Sequence, residues 1–450
     1  MTIPLIKHIY CLALASALIL PARAENFGSA EPFKNGDTVC FVGDSITHGG
    51  NYHMVVELYY ATRFPDRHIR YYNCGISGDT ANVISRDKRF RQDIDILGKK
   101  PTVATIMLGM NDVGRGAYGP GVSGAEIEHK RQSYLATYQK SILALETILL
   151  QGGAKIILIE PSIYDETMKP EQPPNEVIAE GVNGALGQCA AFIAQNAAES
   201  KYGLINFYGP MNEINQREQQ KNPAFTLVSP DRIHPGPVGH FVMGYIFLKA
   251  QGLPQFVANI EINASNMQTG HLTNCKVEKL VRSSGGVEFD CTENSLPFVV
   301  PVNATKALTL VPFQQELNQE RLAVDGLSEG GYELRIDNKI VGDYPASALK
   351  MGVNLAENPQ TPQYLQSQTV TDLALKRKDV GGRLRGLAGQ RYLISKKGGD
   401  PTVPLPPPEK KGNANVTEDE SSLQKQYDDL SVEMRNASQP KMHHFSILKK

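Results

Sequence analysis

Tryptophan is missing from all 450 residues. That counts against a surface that stacks sugars on indole rings and leaves 18 tyrosines as the large rings with a polar handle. Net charge is nearly missing too. The 46 Lys and Arg face 47 Asp and Glu, a formal charge of −1, so no global field draws the molecule to nucleic acid or an anionic membrane, and a polyanionic substrate is not expected. Cysteine is sparse: six residues in a chain of this length exclude a disulfide-built scaffold. Long apolar runs are absent apart from residues 9–20, which fall short of the ~20 residues a membrane-spanning helix needs. Lys7 and His8 precede that run and Ala22-Arg23-Ala24 follows it. This is the three-part layout of a secretory signal, so the mature chain is expected to start at Glu25 in a secreted or periplasmic location.

What is present reads as a multidomain globular protein. With 41% hydrophobic and 21% charged residues, the chain can build two or three cores. Short apolar runs at 37–42, 68–74, 103–108, 155–160 and 204–207 predict five strands. Amphipathic stretches lie between them, such as 126–150, which stops at Gly152-Gly153 where a helix end favours glycine. Strand and helix in alternation predict an α/β domain over 25–255 with a central parallel sheet covered on both faces. The loops after its first three strands, Asp44-Ser45, Gly75-Ile76-Ser77-Gly78 and Gly109-Met110-Asn111-Asp112, should then open on one sheet edge.

From about residue 256 the texture changes to closely spaced β-rich runs at 277–282, 286–290, 297–302 and 308–311. Tyr332, Leu334 and Ile336 alternate with polar residues before Asp337-Asn338, a hairpin signal. These predict a small β-sandwich over 256–350. Residues 351–450 read as helical segments at 363–387 and 421–435 around a Pro- and Lys-rich linker, ending in a solvated tail that includes His443-His444. Cys40 and Cys74 read as core thiols. Cys275 and Cys291 flank a predicted hairpin, with a bridge and two free thiols both open.

The chemistry centres on Ser45, a hydroxyl set where a strand core runs into a Gly-Asp-Ser turn. Serine is a weak nucleophile until a base takes its proton and a third group holds that base in the right tautomer. Asp231-Arg232-Ile233-His234-Pro235-Gly236-Pro237 supplies both: one tight turn can bring Asp231 to the Nδ1 side of His234, and the prolines suit the start of the following helix. Free imidazole, with a pKa of ~6.5, is a usable base near neutral pH. His48 and His53 lie nearer in sequence, but neither shows a carboxylate on its own turn, and both read as polar loop residues. Acyl transfer also needs donors for an oxyanion. The backbone N–H groups of Gly78 and Ser45 and the side-chain amide of Asn111 would provide them.

Gly43-Asp44-Ser45-Ile46, Gly75-Ile76-Ser77-Gly78-Asp79, Gly109-Met110-Asn111-Asp112 and Asp231-Arg232-Ile233-His234-Pro235 resemble, in order and spacing, the four blocks of the SGNH (GDSL-type) hydrolases over about half the chain. Ile46 stands where that family usually has leucine. The resemblance implies a three-layer, flavodoxin-like fold with Ser45 as nucleophile, His234 as base and Asp231 as its orienting acid. Ser45, Gly78 and Asn111 would be the oxyanion donors, and Asp44 and Asp112 supporting hydrogen-bond partners in the loops. No cofactor, metal or nucleic acid partner is expected. The expected activity is that of a serine esterase cleaving carboxylic esters through an acyl-enzyme. An extracytoplasmic location beside a β-sandwich favours deacetylation of carbohydrate, with acetylated polysaccharide as a substrate. The alternatives are a lipase or lysophospholipase-type acyl hydrolase and a non-catalytic carbohydrate-binding surface protein.

Overall fold

A computed structural model describes residues 26–170, 178–403, 405 and 419–450. The expected signal segment, and residues 404 and 406–415 of the expected linker, lie outside them. Along the chain, β1 (Gly28–Ser29), β2 (Thr38–Gly43), α1 (Ser45–His48), α2 (Asn51–Arg63), β3 (Arg70–Gly75) and α3 (Ala81–Arg86) lead through a π-helical turn at Lys88–Ile96 to β4 (Val103–Met107). Then come α4 (Ala125–Gln151), β5 (Lys155–Ile159), α5 (Val182–Ser200), β6 (Gly203–Ile205), α6 (Tyr208–Gln219) and α7 (Pro237–Ala250).

These elements form a six-stranded sheet in the order β1-β6-β5-β4-β2-β3, in which only the short edge strand β1 runs antiparallel. The five parallel strands have the flavodoxin-like order, with the direction of winding reversing between β2 and β4. All six residues of β2 and all five of β4 are buried, as a sheet covered on both faces requires.

Two glycines end strands here because the next turn comes too close for a side chain. A Cβ on Gly43 would meet the Thr47 hydroxyl at 2.2 Å, and one on Gly75 would meet the His48 nitrogen at 2.4 Å. The first turn of α1 therefore sits directly on the ends of β2 and β3, and Ser45 stands at the carboxyl edge of the sheet.

The rest of the chain forms β7 (Phe256–Asn263), β8 (Gln268–Thr269), β9 (Cys275–Ser283), β10 (Gly286–Glu293), α8 (Phe313–Leu317), β11 (Gln319–Asp325), β12 (Gly331–Ile336), β13 (Lys339–Pro345), α9 (Ala346–Met351), β14 (Val353–Asn354), α10 (Pro362–Lys396), α11 (Glu420–Ser438) and β15 (Met442–Lys449). A five-stranded sheet, β13-β12-β15-β10-β9, and a four-stranded sheet, β14-β11-β7-β8, share one apolar cluster. Ile260, Ile262, Leu322 and Val324 enter it from one sheet, and Phe289, Leu334, Phe445 and Ile447 from the other. Asp337 and Asn338 both have positive φ, as a two-residue turn between β12 and β13 demands.

Two expectations change, and one open question closes. Residues 297–302 and 308–311 are not strands: Pro297, Pro301 and Pro312 remove backbone donors, and a 3₁₀ turn at Val302–Thr309 forms instead. Phe298 and Phe313 pack on Phe241 of α7, so this segment joins the α/β core. Residues 351–450 are not a separate region ending in a solvated tail. Helix α10 packs on α2 and α11, while β15 occupies the centre of the five-stranded sheet. There His443 bonds Asp337 at 2.7 Å and His444 bonds Asp290 at 2.8 Å. Cys275 and Cys291 are free thiols on adjacent strands, where Cys291 faces Val277 and Cys275 faces Glu293.

Phe445 is fully buried and stacks on Phe289 with ring centroids 5.1 Å apart. Phe445→Ala should destabilise the protein by about 3–5 kcal/mol in urea unfolding. A loss within about 0.5 kcal/mol would return β15 to the status of a surface tail.

Candidate active site

Asp44 caps α1: its Oδ1 accepts the Ile46 N–H at 3.0 Å. The cap sets Ser45, half-buried, against a turn contributed 189 residues further along the chain. That turn is held from three sides. Ser229 N–H donates to the His234 carbonyl at 2.6 Å, and Arg232 N–H to the Ser229 carbonyl at 2.8 Å. Arg232 takes a left-handed φ of 66°, and its buried guanidinium donates to the carbonyls of Asp165 at 2.7 Å and Met168 at 3.2 Å. Bonds to the loop after β5 thus offset a backbone conformation that costs a non-glycine residue about 1 kcal/mol or more.

On that turn Asp231 Oδ1 accepts from the N–H groups of Ile233 and His234, both at 3.0 Å. Its Oδ2 lies 2.6 Å from His234 Nδ1, and His234 Nε2 lies 2.8 Å from Ser45 Oγ. A carboxylate only accepts, so Nδ1 carries the proton and Nε2 presents its lone pair to the serine hydroxyl. Burial pushes the Asp231 carboxyl up, but the bonds from the His234 ring and the two backbone N–H groups outweigh it and hold it below the usual range. Ser45, His234 and Asp231 are therefore brought together in line.

Gly78 and Asn111 occupy the loops after the two strands that flank β2. Gly78 is exposed with φ of 82°, and the space a Cβ would fill is open. The Asn111 amide is held at both ends: Nδ2 donates to the Asp79 carbonyl at 2.9 Å, and Oδ1 accepts from Arg115 at 3.1 Å. One amide hydrogen is committed and the other remains for a ligand.

Asp44 and Asp112 sit in the loops as buried hydrogen-bond acceptors. Asp112 Oδ1 accepts the Ala81 N–H at 2.8 Å and ties the loop after β4 to the start of α3. Burial pushes Asp44 up to about 6 and Asp112 up to about 7. His48 accepts the Ser77 N–H on Nδ1 at 3.1 Å.

His53 departs from expectation. It lies on α2 rather than in a loop, and it does have a carboxylate within reach on its own helix: Glu57 at 2.8 Å, itself paired with Arg377. A four-residue helical spacing supplied the partner that a search of the same turn overlooks. Arg115 and Arg232 are also absent from the sequence-derived site. Arg232 lies inside the Asp231-to-His234 block, so its place in a strained turn was the available signal, while Arg115 follows Asn111 by four residues through a non-helical turn and carries no other mark. Among the described residues, no group of three or more His, Cys, Asp or Glu gathers so as to hold a metal ion, and no helix is long and apolar enough to cross a membrane.

A hydroxyl, imidazole and carboxylate in register at the carboxyl edge of a parallel α/β sheet define the layout of a hydrolase. Residues 41–241 match the GDSL-like Lipase/Acylhydrolase family, which makes this part of the chain an SGNH, or GDSL-like, hydrolase domain and the protein a carboxylic ester hydrolase. It is 28% identical over 236 residues to an acetylxylan esterase of Geobacillus stearothermophilus, across 48% of this chain and 95% of that protein. Its fold follows that of a gut microbial diltiazem-metabolizing enzyme at a TM-score of 0.81 and 29% identity, covering 94% of this chain and 100% of the other.

The buried carboxyl of Asp112 sets a pH dependence of stability. Its folded value of about 7 exceeds the ~3.9 of an unfolded aspartate, so the folded chain holds the extra proton and this group's contribution falls as pH rises from about 4 to about 7. Asp112→Asn should remove that fall. Its stability relative to wild type should improve by up to about 4 kcal/mol between pH 4 and 8 in urea unfolding. A difference that does not change with pH would show the carboxyl to be ionised throughout.

Proposed function

We propose that the protein hydrolyses carboxylic esters with Ser45 as nucleophile, His234 as general base and Asp231 as the group that orients it. The observation that carries this reading is the line from Asp231 through His234 to Ser45, with contacts of 2.6 and 2.8 Å. As Ser45 Oγ attacks the ester carbonyl, its proton passes to His234 Nε2. The carbonyl oxygen becomes an oxyanion facing the Ser45 and Gly78 N–H groups and the Asn111 amide. The alcohol leaves with the proton from His234 and an acyl group remains on Ser45. Water, deprotonated by the same imidazole, then releases the acid. No step needs a cofactor.

The substrate is proposed to be an acetylated carbohydrate outside the cytoplasm. Two features support this. The Geobacillus relative is an acetylxylan esterase. Asp231 and His234 keep side-chain exposures of 42% and 43%, so the base lies open to a bulky glycan. A second reading, turnover of diltiazem, is favoured by the likeness to the diltiazem-metabolizing enzyme, which runs through the accessory region as well.

Turnover of p-nitrophenyl acetate should fall by about 10⁶ in Ser45→Ala and by about 10²–10³ in Asn111→Ala. Equal rates for wild type and Ser45→Ala would remove the proposed chemistry. Acetate release from acetylated xylan should exceed hydrolysis of esters with long acyl chains. A steep preference for long chains would replace the carbohydrate reading with a lipase.

A further inference from the structure

We propose that Arg385, on the accessory helix α10, is a positioning residue for ester hydrolysis, holding the Gly75-to-Asp79 loop so that Gly78 and Asn111 meet the oxyanion. The inference rests on the assignment of those two residues as oxyanion donors.

Four charged side chains lie beneath the loop with almost no exposure: Arg91 0%, Asp79 1%, Asp95 4% and Arg385 5%. Two cations and two anions balance, and each finds a partner, as burial demands. Arg91 Nε donates to Asp79 Oδ2 at 2.8 Å, a second nitrogen pairs with Asp95, and the third donates to the Cys74 carbonyl at 2.8 Å. Arg385 grips Asp95 with both terminal nitrogens, at 2.5 and 2.7 Å, and donates its Nε to the Gly75 carbonyl at 2.6 Å. Both carbonyls at the end of β3 are thus held by guanidinium groups, one of them from a helix 310 residues along the chain.

The network continues to the reacting edge. Asp79 N–H donates to the Ile76 carbonyl at 3.1 Å, and the Asp79 carbonyl accepts from Asn111 Nδ2 at 2.9 Å. An unbroken path therefore runs from Arg385 through Asp95, Arg91 and Asp79 to Asn111, and Gly78 is the residue before Asp79. Gly78 cannot be located by packing, since it faces open space where substrate must approach. Its position comes from its flanks, and those flanks are fastened from below. A donor misplaced by 1 Å can cost about 10²-fold in rate. Only a planar, forked cation makes these three bonds at once, and lysine offers a single point charge.

The test uses the full chain and p-nitrophenyl acetate, with kcat and KM measured for wild type, Arg385→Lys, Asp95→Asn, Asn111→Ala, the double variant Asn111→Ala/Arg385→Lys, and Ser45→Ala. Val370→Ala serves as control: Val370 is a buried residue of α10 outside the network. Arg385→Lys should lower kcat by about 10–100-fold with KM within about threefold, and Asp95→Asn, which keeps the shape of the side chain, should lower kcat in the same direction if the lysine variant proves unfolded by circular dichroism. Val370→Ala should lower the melting temperature yet keep kcat. In the Asn111→Ala background the Arg385→Lys loss should shrink to about threefold or less, because the two changes act through one loop. Wild-type kcat in folded Arg385→Lys or Asp95→Asn, an undiminished loss in the Asn111→Ala background, or an equal kcat loss in Val370→Ala would each overturn the positioning role. Retained activity in Ser45→Ala would instead overturn the proposed nucleophile, a separate result.

Discussion

The hydrogen bond between Ser45 Oγ and His234 Nε2 joins side chains 189 residues apart, and the proposed chemistry depends on it. A parallel sheet makes the meeting possible, since every strand delivers its following loop to the same edge. The sheet alone does not set the distance. Gly43 and Gly75 let the first turn of α1 rest on the strand ends, and Asp44 caps that turn. On the other side, the buried Arg232 pins a left-handed turn whose geometry puts Asp231 behind the imidazole. Each half is rigid before the two face each other, so little reorganisation remains for the reaction itself.

The polar groups around the site divide by burial. Asp231, partly open and bonded by three donors, is held ionised. Asp44 and Asp112, enclosed by the loops, are pushed toward the neutral form while still accepting backbone N–H bonds. Asp231 alone is bonded to the His234 ring, and the neighbouring acids serve as fasteners for the loops. The deeper cluster of Asp79, Arg91, Asp95 and Arg385 balances its charges internally. It links the α/β unit to the C-terminal helices, while β15 carries the end of the chain back into the centre of the second β-rich unit.

Much of this was legible in the sequence, for local reasons. Strands β2 to β6 announce themselves as apolar runs because a doubly covered sheet needs hydrophobic residues on both faces. Asp337-Asn338 marks its turn because few residues accept positive φ. The four blocks around Ser45, Gly78, Asn111 and His234 were readable because each is a loop with a specific chemical task. Legibility fails where a residue's partner lies far along the chain. The pattern of residues 442–449 does not say that β15 enters the middle of a sheet, and Arg385, in a glycine-spaced helix, looks like a solvated charge. The Pro-rich stretch from Pro297 to Pro312 reads as strand by its apolar content, but the missing backbone donors decide otherwise. His53 was misjudged for a simpler reason: its partner Glu57 is one helical turn away, a spacing visible only once α2 is recognised as a helix.

Covalent trapping tests the central claim most directly. A fluorophosphonate phosphonylates a serine whose proton a base removes, the new O–P bond replacing P–F as fluoride leaves, so the reagent should modify Ser45 alone, as read by peptide mass spectrometry. The adduct should be lost, or form at least about 10³-fold more slowly, in His234→Ala. Labelling at another serine, or equally fast labelling of Ser45 without His234, would contradict the account.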